Sequence, residues 1–430
     1  MGNLLDNVRK PYTPVGNLLD NVRKPYTPVR NLLDNVRKLY PPVGNLPDSV
    51  GSLSTPVGCH SDFNISSLKA PIYGGDSERN RKIINGKFQH TMKAIQISHS
   101  QELNIIEMEK PAALKAGEVL LKLEYVGFCG SDLNTFLGRN TMALNPVIPG
   151  HEIGAVIEAV GSDVPETLKV GMVVTCNPYT NCNKCASCRN GRVNACQHNE
   201  TLGVQRNGAM KEYIVMPWEK IISAGTLSAK TSALIEPMSV GFHAVSRAQV
   251  TDVDTVMVIG CGMVGMGAIV RAVTRGATVI AADLDDEKLE LAKQMGATYA
   301  VNTKTENVHE RLADITGGFG PDVIIEAVGN PFTYQMAVNE VAFTGRVACI
   351  GYAKQDVTFQ TKLFVQKELD IRGSRNATPE DFRAVIRYLE RGTCPVDELI
   401  TKVIQPEEAL ETMQWWSENP GKVFRILVKF

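Results

Sequence analysis

The chain has 430 residues, of which 43% are hydrophobic, and a formal net charge of −1. This length and composition support two or three folded domains, and the balanced charge argues against a nucleic-acid partner. No apolar run reaches the roughly 18 residues that a membrane span needs, so no membrane partner is expected. The N-terminus lacks the apolar core of a signal peptide, and we therefore expect a cytoplasmic protein.

Residues 3–58 consist of four copies of a 14-residue repeat, at 3–16, 17–30, 31–44 and 45–58, with the last copy the most diverged. Each copy contains proline, which prevents a continuous helix, and offers few apolar anchors. The repeat therefore favours a non-globular leader, followed by a polar linker, over residues 1–91. An array of short motifs that bind a partner is the alternative interpretation.

From Met92 the pattern becomes that of a β-rich domain, which we expect to span residues 92–236. Apolar and polar residues alternate through 92–126, and further short strands are predicted at 154–160, 170–175 and 211–216. Pro111, Gly117 and polar clusters interrupt the runs, as is typical of antiparallel strands joined by turns.

Four cysteines within this domain have the spacing of a metal site, Cys-x2-Cys-x2-Cys-x7-Cys. They are Cys182, Cys185, Cys188 and Cys196. Four thiolates close a tetrahedral zinc shell without an open position, which is typical of a structural site. The alternatives are free surface thiols or redox pairs.

A second candidate metal set is scattered along the chain: Cys129, the adjacent pair His151 and Glu152, and Glu236. Each residue alone is weak evidence. Together they offer a thiolate, an imidazole and two carboxylates, and three protein ligands with an exchangeable position form the pattern of catalytic zinc. Such a zinc lowers the pKa of a bound alcohol and polarises a carbonyl in the reverse reaction.

Residues 237–373 alternate predicted strands and helices, which indicates a parallel sheet with right-handed crossovers. Residues 374–430 contain two predicted helices and a final strand, and we expect them to return to the first domain.

The first strand–helix–strand unit of this alternation, residues 256–283, predicts a dinucleotide site. A glycine-rich turn leads into the helix, and Asp283 closes the second strand, where it is placed to bind the ribose hydroxyls of NAD. A 2′-phosphate would meet Asp283, Asp285 and Asp286, so NADP should be disfavoured. The turn residues predicted to bind the cofactor are Gly260, Gly262, Met263, Val264 and Gly265.

From Met92 onward the chain resembles the zinc-dependent medium-chain alcohol and polyol dehydrogenases, in particular the sorbitol and L-threonine dehydrogenase branch. The residues that carry the resemblance are VGFCGSD (126–132), PGHE (149–152), the four cysteines, LIEPMSVGFHA (234–244) and VIGCGMVG (258–265). The resemblance implies an α/β fold with a Rossmann doubly wound sheet and a β-rich, GroES-like catalytic domain. It also implies one catalytic and one structural zinc, NAD as cofactor, a small-molecule substrate and a homo-oligomer, either a dimer or a tetramer.

The resemblance also implies roles for individual residues. Cys129 and His151 would be catalytic zinc ligands, Glu152 would bind directly or through water, and Glu236 stands where classical members have a third, cysteine ligand. Ser131 would pass the alcohol proton onward, and Asp132 would buttress Cys129. Two departures are Asn134, where the family often has a relay histidine, and Ala155, where it often has glycine.

The substrate is indicated only by residues 373–383, which resemble a segment of sugar-acid dehydrogenases of the L-galactonate type. Arg375 in this segment suits a carboxylate or a polyhydroxyl chain, although a structural arginine that bridges the domains is equally compatible. Phe136, Tyr179 and Phe343 are weaker pocket candidates, because such aromatics are more often core residues.

The prediction is therefore an NAD-dependent oxidation of a secondary alcohol of a polyol or sugar acid. The alternatives are an L-threonine or simple alcohol dehydrogenase, a zinc-free reductase, and a non-catalytic NAD sensor.

Overall fold

The computed structural model describes residues 81–84 and 87–430, with side chains from His90 onward. The repeat at 3–58 lies outside the described residues. Helices and strands alternate with short turns along the described chain. The strands are β1 (Arg81–Ile84), β2 (Lys87–His99), β3 (Glu102–Glu109), β4 (Glu118–Phe128), β5 (Glu152–Val160), β6 (Val173–Cys176), β7 (Tyr213–Pro217), β8 (Ile221–Ser223), β9 (Thr255–Ile259), β10 (Thr278–Asp283), β11 (Tyr299–Asn302), β12 (Val323–Glu326), β13 (Arg346–Cys349), β14 (Asp370–Gly373), β15 (Lys402–Ile404) and β16 (Ile426–Lys429).

The helices include several short ones that the sequence patterns did not predict. The α-helices are α1 (Gly130–Phe136), α2 (Ala186–Arg189), α3 (Ala229–Ser232), α4 (Ile235–Arg247), α5 (Met263–Thr274), α6 (Asp286–Gln294), α7 (Val308–Thr316), α8 (Pro331–Glu340), α9 (Lys362–Gln366), α10 (Pro379–Leu389) and α11 (Ala409–Glu418). Short 3-10 helices lie at Val193–Ala195, Trp218–Lys220, Pro406–Glu408 and Pro420–Lys422.

The first part of the chain forms two antiparallel-rich sheets. β1, β2 and β3 form one, and the other has the order β15-β16-β4-β5-β6-β8, with β7 also paired to β4. β16 pairs antiparallel with β4 from Ile426↔Phe128 to Lys429↔Tyr125, so the last strand of the chain lies in the sheet of the first domain.

β9 to β14 form a six-stranded, wholly parallel sheet in the order β11-β10-β9-β12-β13-β14. In order of appearance this is 3-2-1-4-5-6, the doubly wound arrangement that binds dinucleotides where the strand order reverses. The reversal lies between β9 and β12, next to the glycine-rich turn after β9. The predicted fold class is confirmed.

The structure differs from the sequence prediction at two boundaries. β1 and the first residues of β2 precede Met92, within the stretch that the sequence analysis assigned to a linker. Residues 374–430, which we expected to return to the first domain as a whole, divide between two hydrophobic cores. Phe382 and Val385 of α10 share a core with Phe242 and Val245 of α4, whereas residues of α11, β15 and β16 join the core of the first domain.

Within the described residues, no helix combines the length and the apolar character needed to cross a membrane.

Candidate active site

Cys129 lies at the point where β4 ends and α1 begins. It is the N-cap of α1, and its backbone N–H donates to Asp132 Oδ2 at 2.8 Å. Asp132 is fully buried, so its carboxylate fixes the start of the helix and with it the position of the Cys129 thiol. The contact is compatible with the buttressing role expected for Asp132, which stays a prediction.

His151 and Glu152 reach the same place from the start of β5. Gly150 precedes them with φ +97°, and a Cβ there would collide with Met210 and Val126. In the antiparallel pairing of β4 with β5, Glu152 lies opposite Gly127. The ligand atoms of Cys129, His151 and Glu152 all lie within 4.8 Å of one another.

Glu236 lies in the first turn of α4 and lines the same cavity. It does not belong to the set of mutual neighbours formed by Cys129, His151 and Glu152. Instead, one oxygen of its carboxylate accepts a hydrogen bond from the buried Tyr179 hydroxyl. The expected role of Glu236 as a zinc ligand stays a prediction, and Tyr179 accounts for where its side chain is held.

Glu152 has a buried cationic neighbour that the sequence analysis missed. Arg425 Nη1 lies 3.1 Å from Glu152 Oε1 and donates to the Phe128 carbonyl oxygen at 2.8 Å. Arg425 is 4% exposed and Glu152 is fully buried. Arg425 sits just before β16 in an otherwise apolar stretch, and a charged residue inside such a stretch was the available signal.

The electrostatics of the cluster follow from burial and proximity. Burial raises the pKa of the Cys129 thiol, but the hydrogen bond and charge of His151 outweigh it and bring that pKa to about 7. Burial lowers the pKa of His151, yet the neighbouring Cys129, Asp132 and Glu236 raise it well above its ordinary value. The two opposite shifts share one cause, the proximity of the Cys129 thiol to the His151 ring.

Several buried polar atoms around the cluster have no hydrogen-bond partner in the described structure. They are Ser131 Oγ, Asp132 Oδ1, His151 Nδ1 and Glu152 Oε2, while Glu152 Oε1 has only its ion pair with Arg425. Buried polar atoms are normally paired, and a sulfur, nitrogen and oxygen donor set is one that zinc accepts. The residues therefore fit a zinc ion.

The four cysteines also converge. Their sulfur atoms lie within 4.8 Å of one another, with Cys185 Sγ 3.5 Å from Cys188 Sγ and 3.8 Å from Cys196 Sγ. Four sulfurs bound to zinc at about 2.3 Å in tetrahedral geometry lie about 3.8 Å apart, whereas a disulfide needs about 2.05 Å. A hydrogen bond from Ser187 helps to lower the pKa of Cys185 to about 5. This lobe therefore fits a structural zinc better than redox pairs.

The glycine-rich turn has the geometry that a pyrophosphate requires. Gly260 has φ +93°, and a Cβ on Gly265 would collide with the carbonyl oxygen of Gly260. A Cβ on Gly262, the N-cap of α5, would meet nothing within 4 Å. Open space above free N–H groups at a helix N-terminus is a favourable anion site.

Asp283 closes β10 beside this turn. Its Oδ2 accepts from the Cys261 N–H at 2.6 Å, and its Oδ1 accepts from the N–H groups of Leu284 and Asp285 at 2.8 and 3.1 Å. A cavity of about 170 Å³ lies here, bordered by Asp283 and by the largely exposed side chains of Leu284 and Phe332. These two apolar side chains are candidate adenine contacts that the sequence analysis missed.

The metal cluster and the cofactor turn open onto one cavity of about 310 Å³. It is bordered by residues of the first domain, by Val264 of α5 and by the loops that follow β12, β13 and β14. Its lining includes Cys129, Ser131, His151, Glu152, Tyr179, Glu236, Val264, Ala327, Ile350, Ser374, Arg375 and Asn376.

Only some of the remaining candidate residues border this cavity. Of the three aromatics considered, Tyr179 lines this cavity, whereas Phe136 is buried in the core and Phe343 borders a separate surface cavity. Asn134 does not border it. Its Oδ1 accepts from Lys354 Nζ at 2.9 Å and its amide donates to the Gly130 carbonyl oxygen.

A buried thiolate–imidazole–carboxylate cluster that faces a dinucleotide-binding sheet across one cavity is the architecture of a metal-dependent dehydrogenase. Residues 115–226 match the alcohol dehydrogenase GroES-like domain, and residues 264–391 match the zinc-binding dehydrogenase domain. The sorbitol dehydrogenase of Bacillus subtilis is 33% identical over 347 residues, which are 78% of this chain and 97% of that protein. The chain belongs to the family of zinc-dependent medium-chain alcohol and polyol dehydrogenases, whose members use zinc and a nicotinamide nucleotide.

Two further similarities agree with this family. The L-galactonate-5-dehydrogenase of Escherichia coli K12 is 33% identical over 284 residues, 66% of this chain and 83% of that protein. The crystal structure of the alcohol dehydrogenase rspB of Escherichia coli CFT073, complexed with NADH, superposes with a TM-score of 0.73 at 30% identity. That similarity covers 79% of this chain and 99% of the rspB chain.

Proposed function

We propose that this protein oxidises a secondary alcohol of a sugar acid or polyol to a ketone, with NAD as the hydride acceptor. The carbinol carbon loses a hydride to NAD and the hydroxyl loses a proton, so the products are the ketone, NADH and a proton. The observation that carries the proposal is the single cavity where the cluster of Cys129, His151 and Glu152 faces the cofactor turn.

Zinc at this cluster supplies Lewis acidity toward an alcohol oxygen, and NAD supplies the hydride acceptor. We assign Cys129, His151 and one carboxylate as the protein ligands. Glu152 is the carboxylate that lies within the cluster, whereas Tyr179 engages Glu236. Asp132 and Arg425 hold Cys129 and Glu152 in place from behind.

The alcohol proton needs a route out of the cavity. Ser131 lines the cavity, and its buried Oγ has no hydrogen-bond partner among the described residues, so it is placed to take the proton. Asn134 cannot continue the route, because an amide does not carry a proton at ordinary pH and its own bonds to Lys354 and Gly130 commit it structurally. The relay is therefore shorter than in relatives with histidine there, and the proton leaves Ser131 through water.

Arg375 supports the choice of an acidic substrate. It lines the cavity after β14, and its guanidinium donates to the Cys196 carbonyl oxygen at 3.4 Å while forming no salt bridge with a described residue. A guanidinium without a carboxylate partner can bind a carboxylate through two parallel hydrogen bonds. The relatives that act on L-galactonate and sorbitol agree with a polyhydroxyl chain.

The test compares matched substrates on the purified full chain. NADH formation is followed with hexonates and the corresponding neutral hexitols, and with L-threonine and simple alcohols, while zinc is quantified in the same sample. Arg375→Met should lower kcat/KM for the acids about 10- to 100-fold, the range of one hydrogen bond to a charged group, and change that for hexitols little. Turnover of only L-threonine or simple alcohols would discard the substrate class. NAD binding without any turnover would discard the enzyme.

NAD is the proposed cofactor because Asp283 borders the candidate ribose site.

We also propose a homo-oligomer, a dimer or a tetramer, since β14 is an edge strand whose Ile371 is 45% exposed and open edges favour pairing. Light scattering of the purified chain tests this proposal, and a monomeric mass would contradict it. Four thiols held for zinc suit a reducing compartment, so we propose the cytoplasm, which fluorescence microscopy of a tagged chain tests.

A further inference from the structure

A buried polar network joins the four-cysteine lobe to the wall of the substrate cavity. At its centre is Asn194, which lies in the lobe between Cys188 and Cys196 and is 6% exposed. Its Nδ2 donates to the Arg375 carbonyl oxygen at 2.8 Å, and its backbone carbonyl accepts from Asn376 Nδ2 at 2.9 Å. The lobe thus holds two consecutive cavity-lining residues through their polar groups.

The other side of Asn194 is fixed by His243 of α4. Asn194 Nδ2 lies 3.0 Å from His243 Nε2, and His243 Nδ1 lies 2.8 Å from Asp381 Oδ2. With the amide donating to Nε2, the ring carries its proton on Nδ1 and donates to Asp381, so each of these two contacts pairs a donor with an acceptor. Both N–H bonds of the amide are used, and its orientation is determined by two different elements.

Asp381 completes the network within α10. Its Oδ2 also accepts from the backbone N–H and the hydroxyl of Thr378, at 3.0 and 2.7 Å, and so begins the helix. The segment Ser374–Asn376 therefore lies between two fixed points, the end of β14 and the start of α10. Asn376 has φ +55°, in the left-handed region that asparagine tolerates better than most residues with a side chain.

We propose that Asn194, held by His243, is a positioning residue that sets the place of Arg375 in the substrate cavity. The four-cysteine lobe then has a role in substrate binding besides holding its own fold. Neither Asn194 nor His243 borders the cavity, so both act through the backbone and side chain of the neighbouring segment. This inference rests on the proposed function for its kinetic readout alone.

The first experiment does not depend on activity. Hydrogen–deuterium exchange of residues 374–378 is compared in the wild-type chain, in Asn194→Ala and in Asn190→Ala. Asn190 is an exposed asparagine of the same lobe and serves as the matched control. We expect faster exchange in this segment for Asn194→Ala alone, without a change in β9 or β10. Unchanged exchange in the segment, or equal effects of both variants, would overturn the proposal.

The second experiment separates positioning from general stability. With the best acidic substrate, Asn194→Ala should raise KM about fivefold, the factor of one ordinary hydrogen bond, and leave kcat and the KM for NAD nearly unchanged. His243→Phe keeps a ring and should act in the same direction. Because the two residues work as one unit, the double variant should be no worse than the stronger single variant.

These outcomes distinguish the two proposals. A wild-type chain that oxidises no alcohol defeats the proposed function, and the exchange measurement still decides the role of Asn194. A wild-type chain that turns over, with an Asn194→Ala variant equal to it in KM and in exchange, defeats the positioning role and leaves the function intact. If Asn194→Ala lowers kcat and raises the KM for NAD as much as the KM for the acidic substrate, the variant has destabilised the fold in general, and the positioning role is also refuted.

Discussion

Asp283→Asn should reduce the discrimination between NAD and NADP. Asp283 accepts from the Cys261 N–H through Oδ2 and from the Leu284 and Asp285 N–H groups through Oδ1. The single oxygen of asparagine keeps only one of these two sets of hydrogen bonds, and the loss of the other set should weaken the binding of NAD and NADP alike. What also disappears is the negative charge next to the site where the 2′-phosphate of NADP would lie. Two unit charges at about 4 Å interact by about 4 kcal/mol at an effective dielectric constant of about 20.

Asp283 is partly exposed, so solvent reduces this interaction to about 2 kcal/mol, or roughly 30-fold in relative affinity. The assay is the ratio of kcat/KM with NAD to that with NADP, measured at low and at high salt, because screening weakens a charge effect. Asp286→Asn serves for comparison, since Asp286 accepts from Asn302 and does not border the 170 Å³ cavity beside Asp283, so its more distant charge should change the ratio less. A ratio that Asp283→Asn leaves unchanged, or that both variants change equally, would refute the electrostatic argument.

Three further predictions concern single side chains. Tyr179→Phe removes the hydrogen bond that holds Glu236 and should lower kcat/KM about 10-fold, in line with about 1–3 kcal/mol for a buried carboxylate left without its donor; an unchanged kcat/KM would show that Glu236 needs no such support. Cys188→Ser should reduce bound zinc from two ions to one per chain, because the four-cysteine shell loses a thiolate; retention of both ions by mass spectrometry would contradict that shell. Lys211 has a pKa lowered by burial to about 8, so the folded state binds fewer protons than the unfolded state and stability rises between pH 8 and about 10.4. Lys211→Met should therefore raise the free energy of unfolding by about 2 kcal/mol at pH 7, and denaturant titrations at pH 7 and pH 10 should show this gain shrinking; an equal gain at both values would refute the burial effect.

The sequence predicted those parts of the fold whose residues are also neighbours in the chain. The alternation of apolar runs and helices, with Gly260, Gly262, Gly265 and Asp283 at fixed spacing, predicted the parallel sheet and its cofactor turn, because strand, turn and helix are local. The four cysteines were predictable for the same reason, since they fall within fifteen residues, Cys182 to Cys196.

Contacts between distant residues were not predictable in this way. Tyr179 meets Glu236, and Arg425 meets Glu152, only because helices and sheets bring them together. The expectation that Glu236 is a zinc ligand rested on its chemistry and on the family resemblance and stays a prediction, while no spacing in the sequence reports the Tyr179 hydroxyl that donates to it. The choice between a substrate-facing and a bridging Arg375 was also too narrow. The residue borders the cavity, while its carbonyl oxygen accepts from Asn194 and its guanidinium donates to Cys196 of the four-cysteine lobe.

The position of β16 next to β4 has a consequence for synthesis on the ribosome. Arg425 and the Phe128 carbonyl oxygen that it binds are 297 residues apart, so β4 emerges long before the strand that covers its edge. Until then the first sheet has an open edge, and open edges invite pairing with other chains. The strands of the parallel sheet lie between these two in the chain, so that sheet has all its residues earlier. A nascent chain that stalls before residue 425 would therefore expose a half-built catalytic sheet, and chaperones should engage it there.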